Sequence, residues 1–269
     1  MQLTRVRLYP VKSLGGLDVA SAQVEPWGLA GDRRWAVVDE NGRNVTARER
    51  NVMLGLRSEL LADGGVLLSG AASEPASDPL RVDVPTDAEP VAVGISRQAT
   101  ALPAGPEADD WLSSRIGQSV RLVWQPDPTV RPVKDEHGGL DGDRMSLADA
   151  APLLLTTEAS LAALNAWTDE GAPELDMLRF RPNLVVDGDE PFAEDEWGFV
   201  TIGDVRFRVT GGCDRCMMTG IDPYTLQRGF EPIRTLSKFR RRDGKTWFGV
   251  LLVPQNRGGV AVGDTVAIG

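Results

Sequence analysis

The sequence predicts a mainly β protein with a few packed helices, an α+β chain organised as two β-barrel-like units in series. Three observations carry this expectation. Short runs in which apolar residues alternate with polar ones recur along the chain, the period of half-buried strands. Turn signals built on glycine and asparagine separate those runs, as they do between paired strands. The length, 269 residues, suffices for one large domain or two ordinary ones, each with its own core.

Taken in order, Arg5-Val6-Arg7-Leu8 alternates basic and apolar residues and predicts the first strand. Trp35-Ala36-Val37-Val38 and Asn44-Val45-Thr46-Ala47 flank Asn41-Gly42, a strong hairpin signal. Residues 71–90, rich in Ala, Ser, Pro and Asp, predict a loop between strands. Residues 107–116 predict a short helix stopped by Gly117. The stretch 125–142 is rich in Pro, Gly and charge, and places a boundary between a first domain of residues 1–125 and a second of residues 126–269. Pro152-Leu153-Leu154-Leu155 predicts a strand, after which Thr157 caps a helix carrying Leu161, Leu164 and Trp167 on one face. Val205, Phe207 and Val209 alternate with Arg206 and Arg208 in a strand that runs into Gly211-Gly212-Cys213. Ile233, Leu236 and Phe239 predict a short helix, and the chain closes in strands separated by Gly258-Gly259 and Gly263-Asp264.

Composition narrows the function classes. A formal charge of −10 opposes binding to nucleic acid or to anionic membranes, and no basic block offsets it. A phosphate-bearing ligand must therefore be held by locally placed Arg and Lys. No leader-like or membrane-spanning apolar run is present in the sequence, so cytoplasmic residence is the expectation. Cys213 and Cys216 stay reduced there, and a structural disulfide is not expected.

Cys213-Asp214-Arg215-Cys216 is the motif with the most chemistry in it. A structural zinc site takes about four ligands, mostly cysteine and histidine. With two cysteines and one histidine, this chain cannot supply such a set alone. A thioredoxin-like dithiol wants a helix after its first cysteine, and Gly220 and Pro223 oppose one. Two readings stay open: a buried inert pair, or one soft thiolate on a redox metal whose other ligands come from an organic cofactor. Arg215 beside Cys216 favours the thiolate electrostatically and can face a cofactor phosphate. Gly211 and Gly212 let backbone approach a ligand closely. His137 reads as a solvated residue without a catalytic role. Asp222, near Cys216, is a candidate proton carrier, with a turn-forming role before Pro223 as the alternative.

Seven stretches in order set this motif in a wider pattern: Tyr9-Pro10-Val11-Lys12-Ser13, Gly31-Asp32-Arg33-Arg34-Trp35, Arg179-Phe180-Arg181-Pro182-Asn183, the Cys213–Cys216 motif, Thr219-Gly220-Ile221-Asp222-Pro223, residues 231–236 and residues 256–264. Residues from Arg179 onward resemble the MOSC domain. The first half resembles the N-terminal β-barrel domain that precedes a MOSC β-barrel in the branch containing the mitochondrial amidoxime-reducing component and its bacterial relatives. The resemblance implies a molybdenum–molybdopterin cofactor whose metal takes the thiolate of Cys216. It further implies cofactor contacts from Lys12, Ser13 and Arg33 in the first half and from Arg181 and Asn183 in the second.

The implied activity is two-electron oxygen-atom removal from an N-hydroxylated small molecule, with electrons from a separate donor protein of reductase, ferredoxin or cytochrome type. The alternative is a cofactor carrier, or a sulfur-transfer protein bearing a persulfide on Cys216. One departure from the pattern stands beside the motif: the family often has Gly where this chain has Leu226.

Overall fold

The structure, a computed structural model, describes residues 1–70 and 78–269. It is mainly β, with three α-helices among the described residues: Pro106–Ile116, Glu158–Ala166 and Ile233–Phe239. The principal sheet runs Val266–Ile268, Phe199–Ile202, Val205–Asp214, Lys245–Pro254, Leu153–Thr157, Leu184–Val186, Leu3–Leu8 and Leu17–Val19. Leu3–Leu8 thus pairs antiparallel with Leu184–Val186, a long-range partner. Ser21–Glu25 likewise pairs with Gly258–Ala261. The strands Leu3–Leu8, Leu17–Val19, Ser21–Glu25 and Gly28–Leu29 are consequently built into the sheets of the C-terminal half, although sequence order places them in the first domain.

Alternation dictates the core of this sheet. Val205 and Phe207 are fully buried while Arg206 is exposed, and Leu3, Val6, Leu155, Leu184, Val250 and Leu252 pack with them. A second core gathers Val11, Leu14, Trp35, Met53, Leu112 and Leu122 beneath the helix Pro106–Ile116. That helix has Pro106 in its first turn, and Gly117 closes it in the left-handed conformation, the C-terminal cap that glycine supplies without steric cost.

Several local expectations change. The Asn41-Gly42 turn forms, with the Asp39 carboxylate accepting from the N–H groups of Asn41 and Arg43. Its second arm is only a bridge at Val38 and Asn44, because the chain turns again at Thr46. Trp35–Val38 pairs instead with Arg121–Trp124. In the polar stretch expected as a loop, Leu80–Val82 is a strand paired with Val66–Ser69, and residues 71–77 lie outside the described residues. Gly258 and Gly259 start a strand rather than separate two. Among the described residues, no helix is long and apolar enough to cross a membrane.

Thr157 does cap the helix Glu158–Ala166: its hydroxyl accepts from the Ser160 N–H at 3.0 Å. Beneath that cap lies Glu194, fully buried, accepting from the Ser160 hydroxyl at 2.8 Å. Burial raises the Glu194 carboxyl above its usual 4.5, against the hydrogen bonds that lower it. A carboxyl raised on folding adds stability that is complete below the unfolded value and is lost as pH rises through the folded one. We expect Glu194→Gln to flatten the decline of Tm above about pH 4.5, a slope worth up to about 1.4 kcal/mol per pH unit. Melting curves from pH 5 to 8 check this, and identical slopes for both proteins would refute it.

Candidate functional site

Four of the segments that line one cavity of about 170 Å³ carry sequence-predicted residues. Lys12 and Ser13 come from the turn after Leu3–Leu8, Arg33 from the turn before Trp35–Val38, and Arg181 and Asn183 from the link between Met177–Phe180 and Leu184–Val186. Arg215 and Cys216 follow the end of Val205–Asp214. The fold thereby brings seven of the eight sequence-predicted residues to a single wall.

Asp222 is the eighth, and it does not line this cavity. Its carboxylate accepts from the N–H groups of Tyr224 and Thr225 and holds Arg179 at 2.5 Å. Burial works to raise this carboxyl, but those hydrogen bonds and Arg179 outweigh it and leave it below the usual range. A carboxylate so held is ionised at neutral pH and is a poor proton donor. Asp222 is thus placed to shape the turn and to position Arg179, which does line the cavity. Asp222→Asn should lower turnover by less than about tenfold, since loss of a general acid costs about 10²–10⁴. A kcat loss within that larger range would restore the proton-carrier role. His137 is also away from this wall.

The backbone at the site is unusual. Seven described residues other than glycine have positive φ, and Ser13 (70°), Arg33 (49°) and Arg181 (55°) are three of them. Each such conformation costs roughly 1–3 kcal/mol and persists only where surrounding contacts impose it. Arg33 shows how. Its guanidinium donates to Asp32 at 2.5 Å and to the Asn183 side-chain oxygen at 3.0 Å, and lies over the Tyr9 ring at 4.6 Å. Asn183 is buried, and it also donates to the Arg7 carbonyl. It therefore secures Arg33 and the sheet rather than standing free toward the cavity.

Lys12 is buried and donates to the Leu147 carbonyl at 2.9 Å and to Asp149. Burial lowers its ammonium, and Asp149 opposes that shift. The segment carrying Asp149 is anchored in turn by the buried Arg131, which donates to the carbonyls of Ser146 and Ala148. Arg181 differs from these: among the described residues its guanidinium has no hydrogen bond or ion pair, and stacks on Tyr9 at 4.2 Å. Burial and the nearby Arg33 and Arg7 push it down to about 10, still a cation at neutral pH.

The cysteine segment corrects two expectations. The guanidinium of Arg215 meets the Cys213 sulfur at 2.8 Å and the Phe180 carbonyl at 2.7 Å, rather than Cys216. In extended chain, alternate residues share a face, so Arg215 falls beside Cys213. Gly212 is required by protein, not ligand: a Cβ there would sit 2.9 Å from the Trp247 ring. Register shifts at Val209/Gly211 and Gly212/Asp214 bend the strand end, as bulges do where a side chain must be re-aimed. Cys216 then sits exposed at the start of the turn Met217–Gly220. Its carbonyl accepts from the Thr219 hydroxyl, so backbone holds the residue and the thiol is left free. Leu226 keeps the glycine-type conformation, with φ of 60°, at a strain of roughly 1–2 kcal/mol for a residue bearing a Cβ.

Three charged wall residues escaped the sequence reading: Arg48, Asp149 and Arg179. Only Arg179 had a sequence signal, from its place in the Arg179–Asn183 motif. With them the cavity presents six cations, Lys12, Arg33, Arg48, Arg179, Arg181 and Arg215, against Asp149 and Asp214. On a chain of net charge −10, that is a local inversion of sign. The buried Arg215 Nε has no partner among the described residues, and those residues hold no cluster of three His, Cys, Asp or Glu that could bind a metal alone. The arrangement suits an anionic cofactor that brings most of its metal's ligands and takes one thiolate from protein.

Fold and site together define a mainly β protein with a cationic cleft and a free thiol at its edge. The family model for the MOSC N-terminal beta barrel domain matches residues 1–119, and that for the MOSC domain matches residues 142–267. The chain belongs to the MOSC domain family. It is 32% identical to mitochondrial amidoxime-reducing component 1 of Homo sapiens, covering 96% of this chain and 80% of that one. The Danio rerio protein of the same name is 33% identical, with 90% and 76% covered. The molybdenum cofactor sulfurase of Danio rerio is 35% identical over 94% of this chain, which spans only 32% of that relative.

Proposed function

We propose that the chain is a molybdenum-dependent oxidoreductase that reduces N-hydroxylated or other N-oxygenated small molecules. The observation that carries this reading is the cationic cavity with its free Cys216 thiol, in a chain similar along most of its length to amidoxime-reducing components. A molybdenum–molybdopterin cofactor fits the donor set: a soft thiolate for the metal, and Lys12, Ser13, Arg33, Arg181 and Arg215 for its anionic parts. When bound, that group supplies the two-electron redox chemistry.

The residues of this chain do the rest. Cys216 holds the metal. Arg181 and Arg215, free of anionic partners, neutralise the phosphate, while Asn183 fixes Arg33 and Asp222 fixes Arg179. Overall an N–OH group becomes N–H plus water, consuming two protons and two electrons. The electrons come from a separate donor protein of reductase, ferredoxin or cytochrome type. The cofactor lies between units divided near residues 125/126, and the two free cysteines suit the cytoplasm.

Elemental analysis of the purified protein, with benzamidoxime reduction by a chemical electron donor, tests the reading. Near-stoichiometric molybdenum with turnover supports it. Molybdenum without turnover favours the cofactor-carrier alternative. A metal-free protein with a persulfide on Cys216 favours sulfur transfer.

A further inference from the structure

A second cavity, of about 430 Å³, adjoins the first and shares Arg179, Arg181 and Met218 with it. We propose that this second cavity is the recognition subsite for a carboxylate carried by the substrate. The inference rests on the oxidoreductase reading above and adds the class of molecule it acts on: aromatic N-hydroxylated bases with an anionic group distal to the N–O bond.

Its wall carries two buried donors without a partner among the described residues. The Tyr9 hydroxyl is buried and has no partner among the described residues, and the same holds for the Arg7 Nε. Tyr9 itself is only 2% exposed. Burial raises its phenol, so the group stays protonated and able to donate. Leaving a buried donor unmet is costly, and both donors belong to residues that line this cavity.

Charge selects the acceptor. Arg7, Arg57, Arg179 and Arg181 share the wall with one carboxylate, Asp18; Asp18 holds Arg7 at 2.6 Å and Asp222 holds Arg179, which leaves Arg57 and Arg181 as the cations without an anion among the described residues. Arg57 is exposed and, among the described residues, its side chain has no ion pair or hydrogen bond. A carboxylate offers about four lone-pair sites and matches a guanidinium fork with two parallel bonds. A neutral group does neither.

Shape selects the body. Leu17, Leu54, Leu178, Met218, Ile221 and Pro223 supply the apolar part of the wall, which suits a ring. Met218 stands two residues beyond Cys216 and belongs to both cavities. A single aromatic substrate thus reaches from the thiol's cavity into the second with its carboxylate foremost.

The test compares benzamidoxime with its 4-carboxy derivative on the cofactor-loaded protein, by calorimetric binding and by steady-state reduction. The carboxy compound should bind about tenfold tighter or better, the effect of one charge-assisted pair, with a correspondingly lower KM. Arg57→Glu should bring the ratio between the compounds to about one or below, and Arg57→Lys should retain part of it. Equal affinities in the wild type would overturn the subsite. So would an Arg57→Glu variant that keeps the preference, or carboxylate binding that appears only when cofactor is removed, which would give the cavity to the cofactor. If the carboxy compound binds through Arg57 and neither compound is reduced, the subsite stands and the oxidoreductase reading falls. If both are reduced without preference, the reverse holds.

Discussion

Cys216→Ala should abolish molybdenum-dependent turnover while leaving the fold intact. The thiol is exposed and accepts no hydrogen bond among the described residues, and the turn that follows is capped through the Cys216 carbonyl and not its side chain. Exposed substitutions of this kind stay within about ±0.5 kcal/mol, so Tm should move by no more than a degree or two. Activity should fall by more than about 100-fold, beyond the loss seen when only a residue behind a metal ligand is changed. Cys213→Ala should be far milder, because its sulfur is committed to Arg215. A Cys216→Ala protein with wild-type turnover would remove the metal-ligand role.

Arg33→Ala should be the most destabilising change at the site. Asp32 is 1% exposed and would keep only the Tyr9 N–H, at 2.8 Å, as a partner. Breaking a buried ion pair by deleting one member costs about 3–5 kcal/mol, since the remaining charge is stranded. For a chain of this size that corresponds to a fall in Tm of roughly 6–20 °C. The double change Asp32→Asn with Arg33→Ala should recover part of the loss, because the stranded charge is gone. Thermal melts of the two variants decide the matter: an Arg33→Ala protein that melts within 2 °C of the wild type contradicts the buried pair. Its residual cofactor content should also fall, since Arg33 lines the cavity.

How much of this was legible beforehand depends on the kind of contact. The strands Leu3–Leu8 and Val205–Asp214 and the helix Ile233–Phe239 were legible because local periodicity fixes them. The pairing of Trp35–Val38 with Arg121–Trp124 was not, because a hairpin signal speaks only for neighbours in sequence and this partner lies over 80 residues away. Leu80–Val82 was missed because three residues carry too little alternation to outweigh a polar surrounding.

At the site, Lys12, Ser13, Arg33, Arg181, Asn183, Arg215 and Cys216 reach one wall as their motifs suggested. Arg48 and Asp149 could not be found this way: each is one charged residue among many, and only folding sets them beside Lys12 and each other. The aim of Arg215 was misjudged because adjacency in sequence is not adjacency in an extended strand. Of the two readings of Asp222, the turn is the one its hydrogen bonds form, with Arg179 held beside it. The left-handed backbone of Ser13, Arg33 and Arg181 has no sequence signal, since none of them is glycine.

X-ray absorption at the molybdenum edge reads directly whether Cys216 ligates molybdenum. Wild-type protein and Cys216→Ala, each loaded with cofactor, would be compared for the number of sulfur atoms around the metal. The variant should show one sulfur fewer, as loss of a Cys216 thiolate ligand requires. The same sulfur shell in both proteins would contradict it.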